Sequence, residues 1–213
     1  MIKGRQSVNV FTLLLLMILG GCGASTVTVQ GNYPTPNVPP KALTLGVYYP
    51  EEFRNFVYTE FTDRGNEEYF VQAGNSHIEL FNTLLPAMFQ RVVVLDDLAA
   101  AGSAEVDAVF MPSIDEFQLG IPAKTRLDAY EVWVRYNMRL TRPDGGYIAD
   151  WVMTAYGKSS QGTFSSTERG INDAAVASMR DLASNFALTF DQIPEVSDWL
   201  NARNNAVTAS RAN

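Results

Sequence analysis

The stretch from Tyr130 to Tyr156 carries the clearest β signal of the chain. Tyr130, Val132, Val134, Tyr136, Met138 and Leu140 alternate with Glu131, Trp133, Arg135, Asn137, Arg139 and Thr141. Successive strand side chains point to opposite faces, so one face is built for a core and the other for water. Pro143-Asp144-Gly145-Gly146 supplies turn residues, and Tyr147 to Tyr156 returns as the second arm of a long hairpin.

The remaining elements are read against that hairpin. Period-two patterns rich in β-branched and aromatic residues predict strands at 42–49, within 53–62 and at 68–72. Arg91-Val92-Val93-Val94-Leu95 has the apolar run of a buried strand, and Val106 to Met111 or a little beyond predicts another. A helix is expected from Ser76, which has capping-box spacing to Glu79, with Ile78, Phe81, Leu85 and Met88 on one face. Pro86 should kink or shorten it. A longer helix spans about Arg169 to Phe190, its small residues Ala174, Ala175, Ala177 and Ala183 suited to close approach to a sheet. After Pro194 a short amphipathic helix to about Arg203 presents Val196, Trp199 and Leu200, followed by a disordered tail. The order implies an α+β fold: a two-layer domain with a mainly antiparallel sheet and two main helices packed on one face.

The N-terminus has a different character. Lys3 and Arg5 precede an apolar stretch, Val10 to Leu19, too short for the roughly 20 residues that span a bilayer. It reads as a signal peptide. Leu19-Gly20-Gly21-Cys22 resembles the lipobox of bacterial lipoproteins at every position. The resemblance implies cleavage between Gly21 and Cys22, a diacylglyceryl group on the thiol and an acyl chain on the new amine. Cys22 is the only cysteine, so it has no intramolecular disulfide partner. Gly23 follows where an Asp would imply retention in the inner membrane, so the resemblance points to the outer membrane, facing the periplasm.

These boundaries divide the chain into a signal peptide at 1–21, a lipidated Pro-rich tether at 22–41, an α+β domain at 42–192 and a terminal helix and tail at 193–213. The whole chain has a formal charge of −7, and loss of Lys3 and Arg5 with the leader leaves −9. Such a balance argues against nucleic acid and anionic head groups as partners, leaving membrane contact to the lipid anchor.

Candidate chemistry is sparse. His77 is the only histidine, and neither it nor Ser76 has triad or metal partners nearby in sequence, so both read as part of a capped helix start. Glu51-Glu52, Glu67-Glu68, Asp96-Asp97 and Asp115-Glu116 read as solvated acids of turns and strand ends, since neighbours in a strand face opposite ways and form no dyad. No catalytic residue, metal site or cofactor is expected beyond the lipid on Cys22. Trp133, on the polar face of its strand, and Trp199, on the terminal helix, are the candidate partner contacts, because exposed aromatics with arginines nearby dominate interfaces.

The lipobox, the Pro-rich segment and the small α+β domain ending in an Ala-rich helix together resemble small envelope lipoproteins of Gram-negative bacteria. These include auxiliary lipoproteins of envelope ABC transporters and the lipopolysaccharide-assembly lipoprotein. The resemblance implies a non-enzymatic accessory in a transport or assembly complex, its partner an envelope protein or a second copy of the chain. Two other readings stand beside it: a peptidoglycan hydrolase using dispersed carboxylates, and a periplasmic carrier of an apolar ligand.

Overall fold

The computed structural model describes residues 24–62, 67–160, 162 and 166–212, without the side chains of 207 and 210–212. The segment expected as a signal peptide, with Gly21 and Cys22, lies outside the described residues. In chain order the strands are β1 (Ala24–Thr28), β2 (Lys41–Tyr48), β3 (Val57–Thr62), β4 (Glu67–Gln72), β5 (Phe89–Leu95), β6 (Ala108–Gly120), β7 (Ala129–Thr141) and β8 (Tyr147–Ser160). The main helices are α1 (Gly74–Met88), α2 (Thr167–Thr189) and α3 (Pro194–Ala212), and single helical turns lie at Glu51–Arg54 and Pro122–Thr125.

The hairpin forms as its alternation demands. Tyr130, Val132, Val134, Tyr136, Met138 and Leu140 are all buried, and β7 pairs antiparallel with β8 along its whole length. It sits at one end of a five-stranded sheet, β5-β2-β6-β7-β8, in which β2 runs parallel to both β5 and β6. A smaller sheet, β1-β4-β3, has one parallel and one antiparallel pair. The fold is α+β with helices packed on the sheet; both sheets are mixed, and most paired residues lie in the antiparallel ladders.

Helix α2 covers β7 and β8, burying Ile171, Ala175, Met179, Leu182 and Phe186 in the same cluster as the inner face of the hairpin and Leu80, Phe81 and Leu84 of α1. Close approach depends on one glycine of β8. A Cβ at Gly157 would stand 2.0 Å from the Ala174 carbonyl oxygen and 2.2 Å from the Ser178 nitrogen, so the helix backbone lies directly on the strand there. At the far end of α2, Phe110, Trp151, Phe186 and Phe190 form an aromatic cluster with ring centroids 5.4 to 6.4 Å apart. Trp151 Nε1 is buried there without an acceptor among the described residues. The free edge of β8 is partly occupied: the Tyr156 N–H donates to the Asp181 carboxylate of α2 at 3.1 Å.

Three expectations need correction. The segment expected as a tether, 22–41, includes β1, which runs parallel to β4 from Ala24 opposite Glu68 to Thr28 opposite Gln72. Val27, Val29 and Tyr33 are buried, the Gln30 N–H donates to Asn172 Oδ1, and Arg180 donates to the Asn32 carbonyl. Small polar residues favour no element alone, and here the β4 ladder and the cover of α2 decide. The tail expected after Arg203 is instead helical to Ala212; Arg203 bonds Asp107 at 2.8 Å, and the same carboxylate oxygen accepts the Thr44 N–H.

The helix expected to start at Ser76 starts at Gly74 behind Ala73, with no side-chain cap. Ser76 faces inward and its hydroxyl meets that of Tyr33. Pro86 lies inside α1, which ends two residues later at Met88 where β5 begins, as expected of a residue that lacks the N–H for the i→i−4 ladder.

Candidate functional site

His77 shows how the fold disposes of its one histidine. The ring is fully buried between α1 and β7: Nδ1–H donates to the Ala73 carbonyl at 2.8 Å, and Nε2 accepts from the Tyr136 hydroxyl at 2.8 Å. Both nitrogens are satisfied in the neutral ring, and burial pushes its pKa down to about 4. The Tyr136 hydroxyl, also fully buried, is pushed well up by the same desolvation. Tyr33 completes this centre, its hydroxyl against Ser76 and the Met179 sulfur. These two sets of buried polar bonds tie α1 to β7, to the N-terminal segment and to α2, which is a packing role.

Several of the acids make short-range bonds within their own strand or turn. Asp97 accepts the Ala99 N–H at a 3-10 turn, Asp144 accepts the Gly146 N–H at the hairpin tip, and Asp115 lies at a bulge of β6. Glu116 accepts from Gln118, and Glu67 from the Tyr69 hydroxyl. Among the described residues no three His, Cys, Asp or Glu gather as metal ligands, and no helix is long and apolar enough to cross a membrane.

The face of the five-stranded sheet away from α2 is in part open to solvent. Near its β5 end the segment 98–106 covers it, burying Leu95, Ala101, Val106 and Val109 in a second small cluster. Beyond that cover, β6, β7 and β8 present polar side chains to solvent. Arg139 grips Asp150 with two bonds, 2.9 and 3.2 Å, directly across the β7–β8 ladder. Val152 is 50% exposed.

Farther along, Trp133 pairs across to Tyr156 on one side and Gln118 on the other. These residues with Leu119, Gly120 and Glu131 line a shallow hollow of about 310 Å³. Glu131 organises its rim, accepting from the Tyr156 hydroxyl at 2.6 Å with Lys158 at 3.7 Å. The bond to that carboxylate raises the Tyr156 pKa, so the phenol stays protonated.

Trp133 is therefore half-buried on the open face, next to an exposed Tyr156. Trp199 is also half-buried, but it packs on the main core cluster. Tyr156 was not singled out from sequence, although Trp151, Met153 and Ala155 already assign the odd positions of β8 to the core and the even ones to the wet face. Cys22 and Gly21 lie outside the described residues, so the geometry bears on neither.

No family model matches the chain, and no curated protein matches it. Among solved structures it is similar to protein XCC0632 from Xanthomonas campestris, at 13% identity over 78% of this chain and 91% of that one, TM-score 0.49. A minor lipoprotein from Acinetobacter baumannii is 13% identical over 71% of this chain and 92% of that one, TM-score 0.41. Lipoprotein GNA1162 from Neisseria meningitidis is 12% identical over 76% of this chain and 99% of that one, TM-score 0.29. Likeness at this level assigns no residue a role, so function has to be argued from the chain's own lipobox, fold and open face.

Proposed function

We propose that the chain is a non-enzymatic, lipid-anchored accessory protein of the Gram-negative envelope. Acyl chains on Cys22 hold it on the periplasmic face of the outer membrane, and it engages an envelope protein partner of a transport or assembly complex. The observation that carries the partner reading is the open face of β6, β7 and β8, where Trp133 and Tyr156 sit among paired charges rather than under a helix. Aromatic residues with a satisfied polar rim are the groups that anchor protein interfaces. The anchor reading is carried by Leu19-Gly20-Gly21-Cys22. The carrier alternative has less support, because the space between α2 and the sheet is filled by side chains and by the helix backbone at Gly157.

The test is crosslinking in intact envelopes. Trp133→Ala is expected to weaken capture of the partner while the domain's melting temperature stays nearly unchanged, and Cys22→Ala to abolish fatty-acid labelling and delocalise a folded domain. Undiminished capture by Trp133→Ala would remove the open face from the proposal, and an unmodified Cys22 in the wild type would remove the anchor.

A further inference from the structure

We infer that one end of the domain, carrying Ala24, Phe61 and Leu127, rests on the phospholipid surface to which Cys22 is anchored. The inference rests on the lipidation reading of Cys22 and revises the expectation, drawn from the net charge of −7, that the lipid alone touches the membrane: the added contact is local and apolar.

The chain between anchor and fold is very short. Ala24 is two residues beyond Cys22, a reach of at most about 7 Å even fully extended. Ala24 is also fixed in place, because β1 is zipped to β4 from its first residue and Val27 is buried behind it. Lengthening the connection would mean stripping β1 from its ladder. The anchored thiol therefore pulls the starting end of β1 against the bilayer.

Topology states which other groups share that end. β1, β4, β7 and α2 begin there, and β3, β6 and β8 finish there. Ala24, Glu68 and Phe61 form one row across the small sheet, which places Phe61 two strand spacings, roughly 10 Å, from Ala24. Phe61 is 65% exposed, the most exposed large hydrophobic residue among those described.

The turn Pro122–Thr125 closes the same end, its Pro122 and Ala123 lining one crevice with Glu67, Tyr69 and Thr167. It leads to Leu127, 49% exposed, beside the exposed Arg126, while Lys124 of the same turn is paired with Glu60. Two apolar side chains able to reach the acyl boundary, with Arg126 beside them to meet a phosphate, are the pattern of an interfacial surface.

A membrane explains this combination better than a protein partner does, because the site is fixed next to the anchor by covalent geometry. The turn of the β7–β8 hairpin then points away from the bilayer, at most roughly 40 Å along β7 from its basal start. The Trp133 hollow, four residues into β7, faces the space close to the membrane.

The experiment uses the full lipidated chain in vesicles of phosphatidylethanolamine and phosphatidylglycerol. With Cys22 acylated, a cysteine introduced by Phe61→Cys, Leu127→Cys or Asp144→Cys is the sole free thiol and takes an environment-sensitive fluorophore. The expected result is a blue shift, and quenching by lipids brominated high on the acyl chain, at positions 61 and 127, with neither at 144 on the hairpin turn. Flotation with the vesicles and the mass of the N-terminus are measured on the same samples. If the proteins float and carry acylated Cys22 but the probes at 61 and 127 match the one at 144, the orientation is overturned while the anchor stands. If they do not float and Cys22 is unmodified, the anchor reading fails and takes the orientation with it.

Discussion

The buried His77 makes stability depend on pH in a way that can be worked out from its contacts. In the folded chain the ring stays neutral down to about pH 4, whereas in the unfolded chain it takes up a proton near its ordinary value of 6.5. The unfolded state therefore binds more protons between those two values, and stability is lost as pH falls through that window. The gap corresponds to about 3 kcal/mol in full, and roughly 2 kcal/mol of it is lost by pH 5, before most carboxylates titrate. With an ordinary urea dependence, that moves the unfolding midpoint by about 1 M. The assay is urea unfolding of the non-acylated Cys22→Ala chain at pH 7.5 and pH 5, alone and with His77→Gln. The glutamine variant is expected to be less stable at pH 7.5 and to lose much less on acidification. Equal losses in the two proteins would refute the assignment of the acid sensitivity to His77.

Gly157→Ala should lower stability by 1–3 kcal/mol or more, because its methyl enters the backbone of α2; an unchanged thermal midpoint would contradict the direct helix-on-strand contact. Leu182→Ala or Phe186→Ala should cost about 2–5 kcal/mol through lost burial and a residual cavity. Arg139→Ala should cost less than about 1 kcal/mol, since its bidentate partner Asp150 lies on a wet face. Urea midpoints of the three variants decide, and similar values would show the core to be misplaced.

The hairpin was legible because burial on one face alone imposes an alternation that survives in a single sequence, and β7 carries it without a break. Helix α2 was legible for a related reason, its apolar residues recurring at helical spacing. Strand β1 was hidden. Ala24-Ser25-Thr26-Val27-Thr28 offers little apolar signal, and its partner is a parallel strand some forty residues away. Pro112 and the acids at 115 and 116 similarly masked the length of β6, which keeps Pro112 in register opposite Met138 and takes up Asp115 in a bulge. The last turns of α3 were masked by Asn201, Asn204 and Asn205, weak helix formers alone, while the helix is tied back through Arg203 to Asp107. In the candidate site, Trp133 was visible from its place in the alternation. The hollow was not, because it depends on the register that sets Gln118, Trp133 and Tyr156 in one row.

Under the proposed anchoring through Cys22, many copies would share a two-dimensional layer, where collisions between flanks are frequent and a bare strand edge is a hazard. β8 ends the five-stranded sheet with fourteen residues, long enough to template another chain. Asp181 interrupts that template by holding the Tyr156 N–H. A strand arriving there must displace a carboxylate and bring its own carbonyl against the negative charge it has dislodged. The acid thus works as a fender, and on the membrane surface proposed above it would let neighbours crowd without their sheets running together.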